Sequence, residues 1–250
     1  MVITGGDLGF TLRGQVRVNT GSGVVTAYVG DDGECRTREG LIVSGTLEVP
    51  CIPTKVIGIG SNYRSHALEM GKPIPNVPKV FIMPTTAVIS TGGVIRLPGN
   101  SDRVDYEAEV GVVIAQEASS VSIADAMNYV LGYTAVNDVT CRDHQQNDKV
   151  FGRAKGHDTH CPIGPSIVAG LDHTDIDVSC RVNGELRQSG NTNDLIFSIP
   201  ELVSFVSGVM TLLPGDVIAT GTPSGVGPLN SGDIVEVIVG GVGVLSNTVE

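Results

Sequence analysis

The chain has 250 residues, enough to bury one sizeable core, and its net charge of −11 comes from 27 acidic against 16 basic residues. An acidic balance of this size argues against binding to nucleic-acid phosphates. The N-terminus lacks a basic patch followed by a long apolar run, and no stretch of about 18 apolar residues occurs, so we expect neither a signal peptide nor a membrane span.

Composition favours strands and tight turns, because the 41% hydrophobic share is rich in Val and Ile and 33 residues are glycine. The cysteines are odd in number, widely spaced and without a C-x-x-C pair, which argues against a disulfide framework and against a zinc site. They are Cys35, Cys51, Cys141, Cys161 and Cys180. We expect reduced thiols and a cytoplasmic protein.

The first fifty residues predict short strands at FTLRGQVRV, GVVTAYV and LIVSGTLEV, separated by turns rich in Gly and Asp. The segment VPCIPTK brings two prolines and indicates a junction. We therefore predict a small N-terminal β unit over residues 1–52 and a main domain over residues 53–250.

The main domain begins with a predicted buried strand, VIGIG (56–60), followed by a helix in NYRSHALEMG that Gly71 ends. Four prolines between Gly71 and Pro84 predict an extended loop. Ser122 suits the N-cap of a helix in SIADAMNYV.

Later segments continue this alternation of strands and short helices. YTAVND predicts a strand, after which Thr140 could cap a helix in CRDHQQN. Asn183-Gly184 between two alternating runs indicates a hairpin, and IPELVSFVSGV predicts a helix with Pro200 at its start. Because no regular βαβα rhythm appears, the chain predicts a mixed β architecture with short helices.

The stretch DYEAEVGVVI (105–114) carries an unusual set of carboxylates. As one strand it points Asp105, Glu107 and Glu109 to the same face, where they repel unless one is protonated or a cation lies between them. A hard divalent cation with oxygen ligands fits, and Asp138 at the end of YTAVND is a third candidate ligand. The alternative is the wet face of an edge strand.

His66 and Glu69 lie at i, i+3 of the predicted helix and are therefore neighbours on one face. A carboxylate beside an imidazole orients the ring and raises its basicity, as a water-activating base requires. The alternative is a surface pair on an exposed turn.

Several separated segments, in order, resemble the fumarylacetoacetate hydrolase family over about residues 53 to 249. They are GIGSNYRSHALEMG, VDYEAEVGVVI, GYTAVNDVTCRDHQ, RAKGHDTHCPIGP, VNGELRQSGNTNDLIFSIPELV and LLPGDVIATGTPSGVGP. The resemblance implies a mixed β-roll, a homodimer, and Mg²⁺ or Mn²⁺ held by Glu107, Glu109 and Asp138.

The resemblance also implies roles for further residues. His66 and Glu69 would form a catalytic dyad on a lid that orders when substrate binds, and Lys155 would face a substrate oxygen near the metal. The implied substrate-binding residues are Tyr63, Arg142, Gln145 and Thr222.

The implied reaction is cleavage of a carbon–carbon bond in a 2,4-dioxo acid, an acylpyruvate or fumarylpyruvate, to pyruvate and an acid. His66 would deprotonate a water for attack on the distal carbonyl, while Lys155 stabilises the developing charge. Two other reactions suit the same site: decarboxylation of an oxaloacetate-type acid, and isomerisation of 2-hydroxyhepta-2,4-diene-1,7-dioate in aromatic-acid breakdown. A non-catalytic β module that binds Ca²⁺ or a partner is the alternative outside enzymes.

Two departures from the family pattern bear on the substrate. Met83 stands where relatives commonly have a lysine, and His157 and His160 stand where they often have aromatic residues. We expect the first to remove a contact to an anionic substrate, and the second to make the pocket more polar or to add a titratable group. The alternative for His157 and His160 is that they are ordinary polar residues of the core or of a loop.

Overall fold

A computed structural model describes residues 3–4, 11–69, 71 and 73–250. The strands in these residues are β1 (Ile3–Thr4), β2 (Thr11–Asn19), β3 (Val24–Gly30), β4 (Cys35–Arg36), β5 (Thr46–Glu48), β6 (Val56–Gly60), β7 (Lys79–Met83), β8 (Val88–Ile89), β9 (Val94–Ile95), β10 (Val104–Tyr106), β11 (Ala108–Ile114), β12 (Val130–Asn137), β13 (Thr140–Cys141), β14 (Cys161–Val168), β15 (Asp177–Val182), β16 (Glu185–Asn191), β17 (Val217–Ala219), β18 (Gly227–Pro228), β19 (Ile234–Val239) and β20 (Gly243–Val249). The helices are α1 (Arg64–Glu69), α2 (Arg142–Asp148), α3 (Gly152–Lys155) and α4 (Ile199–Val209), and short 3-10 turns cover Thr85–Ala87, Ala126–Tyr129 and Thr192–Asp194.

The largest sheet is open and runs in the order β4-β3-β2-β14-β12-β11-β17-β6-β7. One of its inner strands, β11, is buried at every position, which suits the apolar run that follows Glu109. It pairs with β12 on one side and with β17 on the other, both antiparallel. The carboxylates at the start of β11 therefore lie in the interior of the molecule.

A second open sheet, β16-β15-β19-β20-β9, packs against the first, and the main apolar core fills the space between them. Its hairpin confirms the prediction at Asn183 and Gly184: both have positive φ, 53° and 80°, and Val182 pairs with Glu185. Positive φ at both central positions is what a type I′ turn requires. The predicted mixed β architecture with short helices is thus confirmed.

The N-terminal strands extend the main sheet, because β2 pairs with β14 through Gly14 and Gln15. They also keep a small apolar cluster of their own around Val16, Val18 and Ala27. The predicted division between residues 52 and 53 stays a prediction. The continuous sheet argues against two separate units, whereas the separate apolar cluster argues for them.

Helix predictions were met at α1 and α4, and Glu201 accepts hydrogen bonds from the backbone and hydroxyl of Ser198 at the start of α4. Two others need correction. The SIADAMNYV segment forms only a 3-10 turn, in which the Ser122 hydroxyl binds the Asp125 carboxylate. Cys141 holds the N-cap position of α2, because the Thr140 hydroxyl donates to the Asp138 carbonyl instead.

The proline-rich segment between Gly71 and Pro84 is not entirely a loop, since its second half forms β7 at the edge of the main sheet. All five cysteines are free, as expected. Among the helices of the described ranges, none has the length and hydropathy needed to cross a membrane.

Candidate active site

A cavity of about 1050 Å³ opens where strands of the main sheet meet α2 and α3. Its walls come from β6 and β7, from the acidic segment at β10 and β11, and from the two helices. Four residues with predicted site roles line it in the neighbourhood of the acidic segment: His66, Arg142, Gln145 and Lys155. Thr222 lines it from the turn after β17.

The structure brings Glu107, Glu109 and Asp138 together, with one carboxylate oxygen from each within 4.8 Å of the others. The pairing of β11 with β12 causes this, because Ala108 stands opposite Asn137 and the Asp138 amide donates to the Glu107 carbonyl at 2.9 Å. All three side chains are buried. The alternative of a wet edge-strand face is therefore wrong.

Asp105 does not belong to this cluster, although the sequence places it on the same predicted face. The strand is interrupted at Glu107, and β10 pairs with β13 and β18 in a separate three-stranded sheet. The Asp105 carboxylate instead accepts hydrogen bonds from Arg103 at 2.9 Å and from Arg142 at 2.8 Å. Two guanidinium groups thus neutralise the carboxylate that the cluster leaves out.

Charges from later segments compensate part of the cluster. The Lys155 ammonium donates to Glu107 Oε2 at 2.6 Å and to Asp138 Oδ2, and Arg142 Nη2 lies 2.6 Å from Glu107 Oε1. Burial raises the pKa of the Glu107 carboxyl, but the Lys155 and Arg142 charges outweigh it and hold that pKa at about 2. Glu107 is therefore ionised.

The other two carboxyls are under-compensated. Burial, reinforced by the nearby Asp138 charge, raises the pKa of Glu109 well above its usual value. Burial also raises the pKa of Asp138, to about 6, although Lys155 partly offsets the effect. Burial and the neighbouring negative charges thus disfavour ionisation of these two carboxyls, and a cation bound beside them would favour it.

The donor set fits a hard divalent cation. Asp138 Oδ1 is buried and has no hydrogen-bond partner among the described residues, and Glu109 Oε2 accepts from the Gly221 amide at 2.9 Å. A set of carboxylate oxygens, completed by water, is a ligand set that Mg²⁺ and Mn²⁺ favour. Lys155 lies between Glu107 and Asp138 and lines the cavity, and its predicted contact with a substrate oxygen stays a prediction.

His66 and Glu69 form the predicted pair, with His66 Nδ1 3.0 Å from Glu69 Oε2. Glu69 also accepts from the Gly225 amide at 3.2 Å, which ties α1 to the glycine-rich turn. The His66 ring lines the cavity and is largely buried. Because Glu69 occupies Nδ1, the nitrogen left for proton exchange is Nε2.

Three of the predicted substrate-binding residues reach the cavity. Arg142 Nη1 donates to Gln145 Oε1 at 3.1 Å, so the two side chains form one polar wall. The Thr222 hydroxyl donates to the Ala108 carbonyl and accepts from Gln188 Nε2, at 2.9 and 2.8 Å. The hydroxyl is thus committed to holding the turn in place.

Tyr63 is placed elsewhere. Its side chain is fully buried in the main core, its backbone forms a bridge with Leu195, and it does not line the cavity. The packing of Gly190 against its ring shows how tightly that position is enclosed. The Tyr63 hydroxyl is buried without a hydrogen-bond partner among the described residues, and its predicted contact with a substrate stays a prediction.

The departures from the family pattern also lie away from the cavity. Met83 is fully buried in the second apolar cluster, so it removes no cavity contact. His157 and His160 pack with His144, outside the cavity walls, and burial lowers the pKa of His160 to about 4. The two histidines are thus polar residues packed outside the cavity, which is the alternative to a more polar pocket.

Sequence reasoning missed several cavity residues. Phe81 and Phe151 meet edge to face at 5.1 Å, and the Phe81 ring lies 5.2 Å from the Lys155 ammonium. Lys79 and Lys149 line the cavity as exposed cations. No motif identifies them, since they come from β7 and from the end of α2, which only the fold brings to one opening.

Comparison with known proteins adds the evidence of relatives. The family model described as fumarylacetoacetate (FAA) hydrolase C-terminal matches residues 55–250. Oxaloacetate tautomerase YisK of Bacillus subtilis is 44% identical over 214 residues, 80% of this chain and 71% of the relative. The mitochondrial oxaloacetate decarboxylase of Dictyostelium discoideum is 40% identical over 189 residues, 73% of this chain and 87% of the relative.

Two solved structures extend this range of reactions. A 5-carboxymethyl-2-hydroxymuconate delta-isomerase from Mycobacterium smegmatis is 42% identical with a TM-score of 0.86, covering 94% of this chain and 98% of that one. A fumarylpyruvate hydrolase from Pseudomonas aeruginosa, in complex with Mn²⁺ and pyruvate, is 32% identical with a TM-score of 0.75, covering 82% and 92%. On the extent of the family match and these identities, the chain belongs to the fumarylacetoacetate hydrolase family of enzymes.

Proposed function

We propose that this enzyme catalyses cation-dependent proton transfer on a small 2-oxo diacid, interconverting the enol and keto forms of oxaloacetate or a close analogue. The observation that carries the proposal is a single cavity where a carboxylate-oriented histidine faces the same space as a buried carboxylate cluster. Similarity to an oxaloacetate tautomerase and to an isomerase supports this reaction class.

The charge of the cavity favours a substrate with two carboxylates. Arg142 and Lys155 are already paired with buried acids, whereas Lys79 and Lys149 line the opening without an ion pair among the described residues. Those exposed ammonium groups suit a second carboxylate at the far end of a substrate. A neutral acyl group, as in acetylpyruvate, would leave them without a partner.

The chain's own residues suggest how the proton moves. A divalent cation held by Glu107, Glu109 and Asp138 would supply Lewis-acid stabilisation of negative charge on the substrate. In the enol-to-keto direction the 2-hydroxyl loses a proton and the adjacent carbon gains one. His66 Nε2 exchanges the proton at carbon, while Glu69 fixes the ring and stabilises its protonated form. Arg142 and Gln145 orient the substrate.

Hydrolysis of a carbon–carbon bond in a fumarylpyruvate-type acid is the second candidate, and the same dyad favours it. There His66 would take a proton from water, the hydroxide would add to the distal carbonyl, and the bond would break to pyruvate and fumarate. Similarity to the fumarylpyruvate hydrolase supports this reading. Decarboxylation of oxaloacetate is a variant of the first candidate, in which loss of CO₂ generates the enol of pyruvate.

Three reactions are assayed in parallel with purified protein and Mn²⁺ or Mg²⁺, each with a chelator-treated control. They are tautomerisation of oxaloacetate, decarboxylation of oxaloacetate, and hydrolysis of fumarylpyruvate. Faster loss of the ultraviolet absorbance of enol oxaloacetate, without pyruvate in the NMR spectrum, is the expected result. Formation of pyruvate from oxaloacetate would identify the reaction as decarboxylation and not tautomerisation. Formation of pyruvate and fumarate from fumarylpyruvate, with no effect on oxaloacetate, would rule out both oxaloacetate reactions and identify the enzyme as a hydrolase.

We further propose a homodimer acting in the cytoplasm. The dimer is what the family resemblance implies, and the free cysteines match a reducing compartment. The non-catalytic cation-binding module is set aside, because the named relatives are enzymes.

A further inference from the structure

A second cluster of metal-binding side chains lies behind the cavity wall, formed by Cys141, His144 and His157. One ligand atom from each lies within 4.8 Å of the others. Cys141 and His144 are buried, at i, i+3 around the start of α2, and His157 comes from the segment after α3. The spacing of the cysteines argues against a zinc site made of cysteines, but the fold brings two histidines beside one cysteine.

The two imidazoles face each other through their ring nitrogens. His144 Nδ1 and His157 Nε2 are 3.3 Å apart, and the rings are stacked with centroids 5.3 Å apart. In a tetrahedral zinc site, with each nitrogen about 2.0–2.1 Å from the metal, two imidazole nitrogens stand about 3.4 Å apart. The observed separation, which forms a hydrogen bond between the rings in this structure, is also the one that two ligands of a single ion would have.

An outer hydrogen bond fixes His144 in the ligating tautomer. His144 Nε2 donates to the backbone carbonyl of Asn100 at 2.8 Å, which leaves the lone pair on Nδ1, the atom that points at His157. Metal-ligating histidines usually donate their other N–H to a carbonyl or carboxylate in this way. This contact is separate from the clustering itself and leaves Nδ1 in the form that can ligate an ion.

A further imidazole lies next to the cluster. His160 is fully buried, and its Nδ1 has no hydrogen-bond partner among the described residues, while its ring lies 5.2 Å from that of His157. The partly exposed His157 gives the site a route to solvent. Thiolate and imidazole donors select zinc-like transition metals, in contrast to the all-carboxylate cluster in the cavity.

We propose that Cys141, His144 and His157 bind a zinc-class divalent ion, with water as the fourth ligand. Binding replaces the thiol proton of Cys141, which is released to solvent. The ion joins the start of α2 to the segment after α3. It thereby holds in place Arg142, which lies between two of the ligands, and Lys155, which lies two residues before the third. The site is structural and does not depend on the reaction proposed for the cavity.

The test uses the full chain, purified under reducing conditions, stripped of metal, and loaded with Zn²⁺ or with Co²⁺ as the spectroscopic probe. We expect one Zn²⁺ per chain retained after dialysis against excess Mg²⁺, and a near-ultraviolet sulfur-to-cobalt charge-transfer band with Co²⁺. Absence of that band in the folded wild-type protein would overturn the proposal.

Variants assign the ligands. Cys141→Ser and His157→Phe should each weaken Zn²⁺ binding by more than the roughly 10-fold that loss of an outer-shell partner costs. Cys35→Ser and His173→Phe, which change the same residue types elsewhere, should retain both metal and band. Glu109→Gln should lose Mn²⁺ binding in the cavity but keep the cobalt band, which separates this proposal from the cavity function. Unchanged Zn²⁺ binding in both ligand variants would refute it.

Discussion

Lys155 explains how three carboxylates can be buried side by side. Its single charge is shared by Glu107 and Asp138, and Arg142 adds a second charge on Glu107 alone. Within the described part of the chain Glu109 forms no ion pair with a basic side chain, and one oxygen of Asp138 has no hydrogen-bond partner. The basic side chains thus neutralise part of the negative charge of the site, and the remaining negative charge suits a bound cation.

At the same scale, replacement of His66 tests the assigned base. His66→Gln should lower kcat by about 10²–10⁴-fold, because the group that exchanges the proton is lost. Glu69→Gln should cost less, since the ring stays but loses its orienting charge. Steady-state kinetics on the substrate identified by the three reactions measures both. His173→Gln is the matched control, and a His66→Gln enzyme with wild-type kcat would disprove the assignment.

Among the elements, β11 is the strand that most constrains the site, because it is buried on both faces and paired on both edges. Gly111 lets its neighbours close over it: a Cβ there would lie 2.7 Å from Val136 Cγ2 and 2.8 Å from Thr134 Cγ2. The position of Glu109, two residues earlier, depends on that close packing.

Two glycine substitutions should therefore have opposite effects. Gly111→Ala should lower the free energy of unfolding by about 1–3 kcal/mol through overpacking. Gly208→Ala, on the exposed side of α4 with no atom within 4 Å of the added Cβ, should raise it by about 0.5–1 kcal/mol. Urea unfolding monitored by circular dichroism measures both. Equal effects of the two changes would show that packing around Gly111 is looser than described.

Asp216 joins the turn before β17 to the segment before β6. Its carboxylate accepts from the Thr54 amide and hydroxyl, at 2.9 and 2.7 Å, from the Leu213 amide at 2.8 Å, and from the Lys55 ammonium. Burial raises its pKa, but the Lys55 hydrogen bond and the other donors outweigh this and hold the pKa below 3.8. The turn and the strand pair are thus locked by one ionised side chain.

A lowered pKa in the folded state means that the ionised Asp216 stabilises the fold above pH 3.8, and that this contribution is lost as the pH falls through and below that value. Asp216→Asn should lower the free energy of unfolding by about 1–3 kcal/mol near neutral pH. The gap between variant and wild type should narrow as the pH drops below about 3.8. Thermal unfolding across this pH range, with Asp175→Asn as an exposed control, measures it; a gap that stays constant would contradict the linkage.

At the scale of the whole molecule, the cation cluster lies where β11, β12 and α3 converge, so an ion bound there contacts the folded state only. Mn²⁺ at 100 times its dissociation constant should stabilise the protein by about 2.7 kcal/mol. Glu109→Gln should remove most of this gain, whereas Glu117→Gln on the surface should keep it. Differential scanning calorimetry with and without Mn²⁺ provides the comparison, and equal stabilisation of the two variants would exclude the cluster as the binding site.

The sequence by itself determined the elements whose signal is local. The Asn183-Gly184 hairpin follows from backbone preference, and α4 from its apolar spacing and Pro200. The His66–Glu69 contact follows from helical spacing. Convergence of Glu107, Glu109 and Asp138 was also predictable, since an E-x-E strand and an aspartate at a neighbouring strand end need only one pairing to meet.

Only the tertiary structure decided where long-range packing sends a side chain. Tyr63 and Met83 are buried in apolar clusters, Lys155 turns onto the carboxylates, and the histidines after α3 meet His144 away from the cavity. None of these outcomes has a local signature, because each depends on contacts between residues distant in the chain. Burial and charge compensation between such residues are properties of the assembled fold, which is why the cavity's charge balance and the second metal cluster emerge only there.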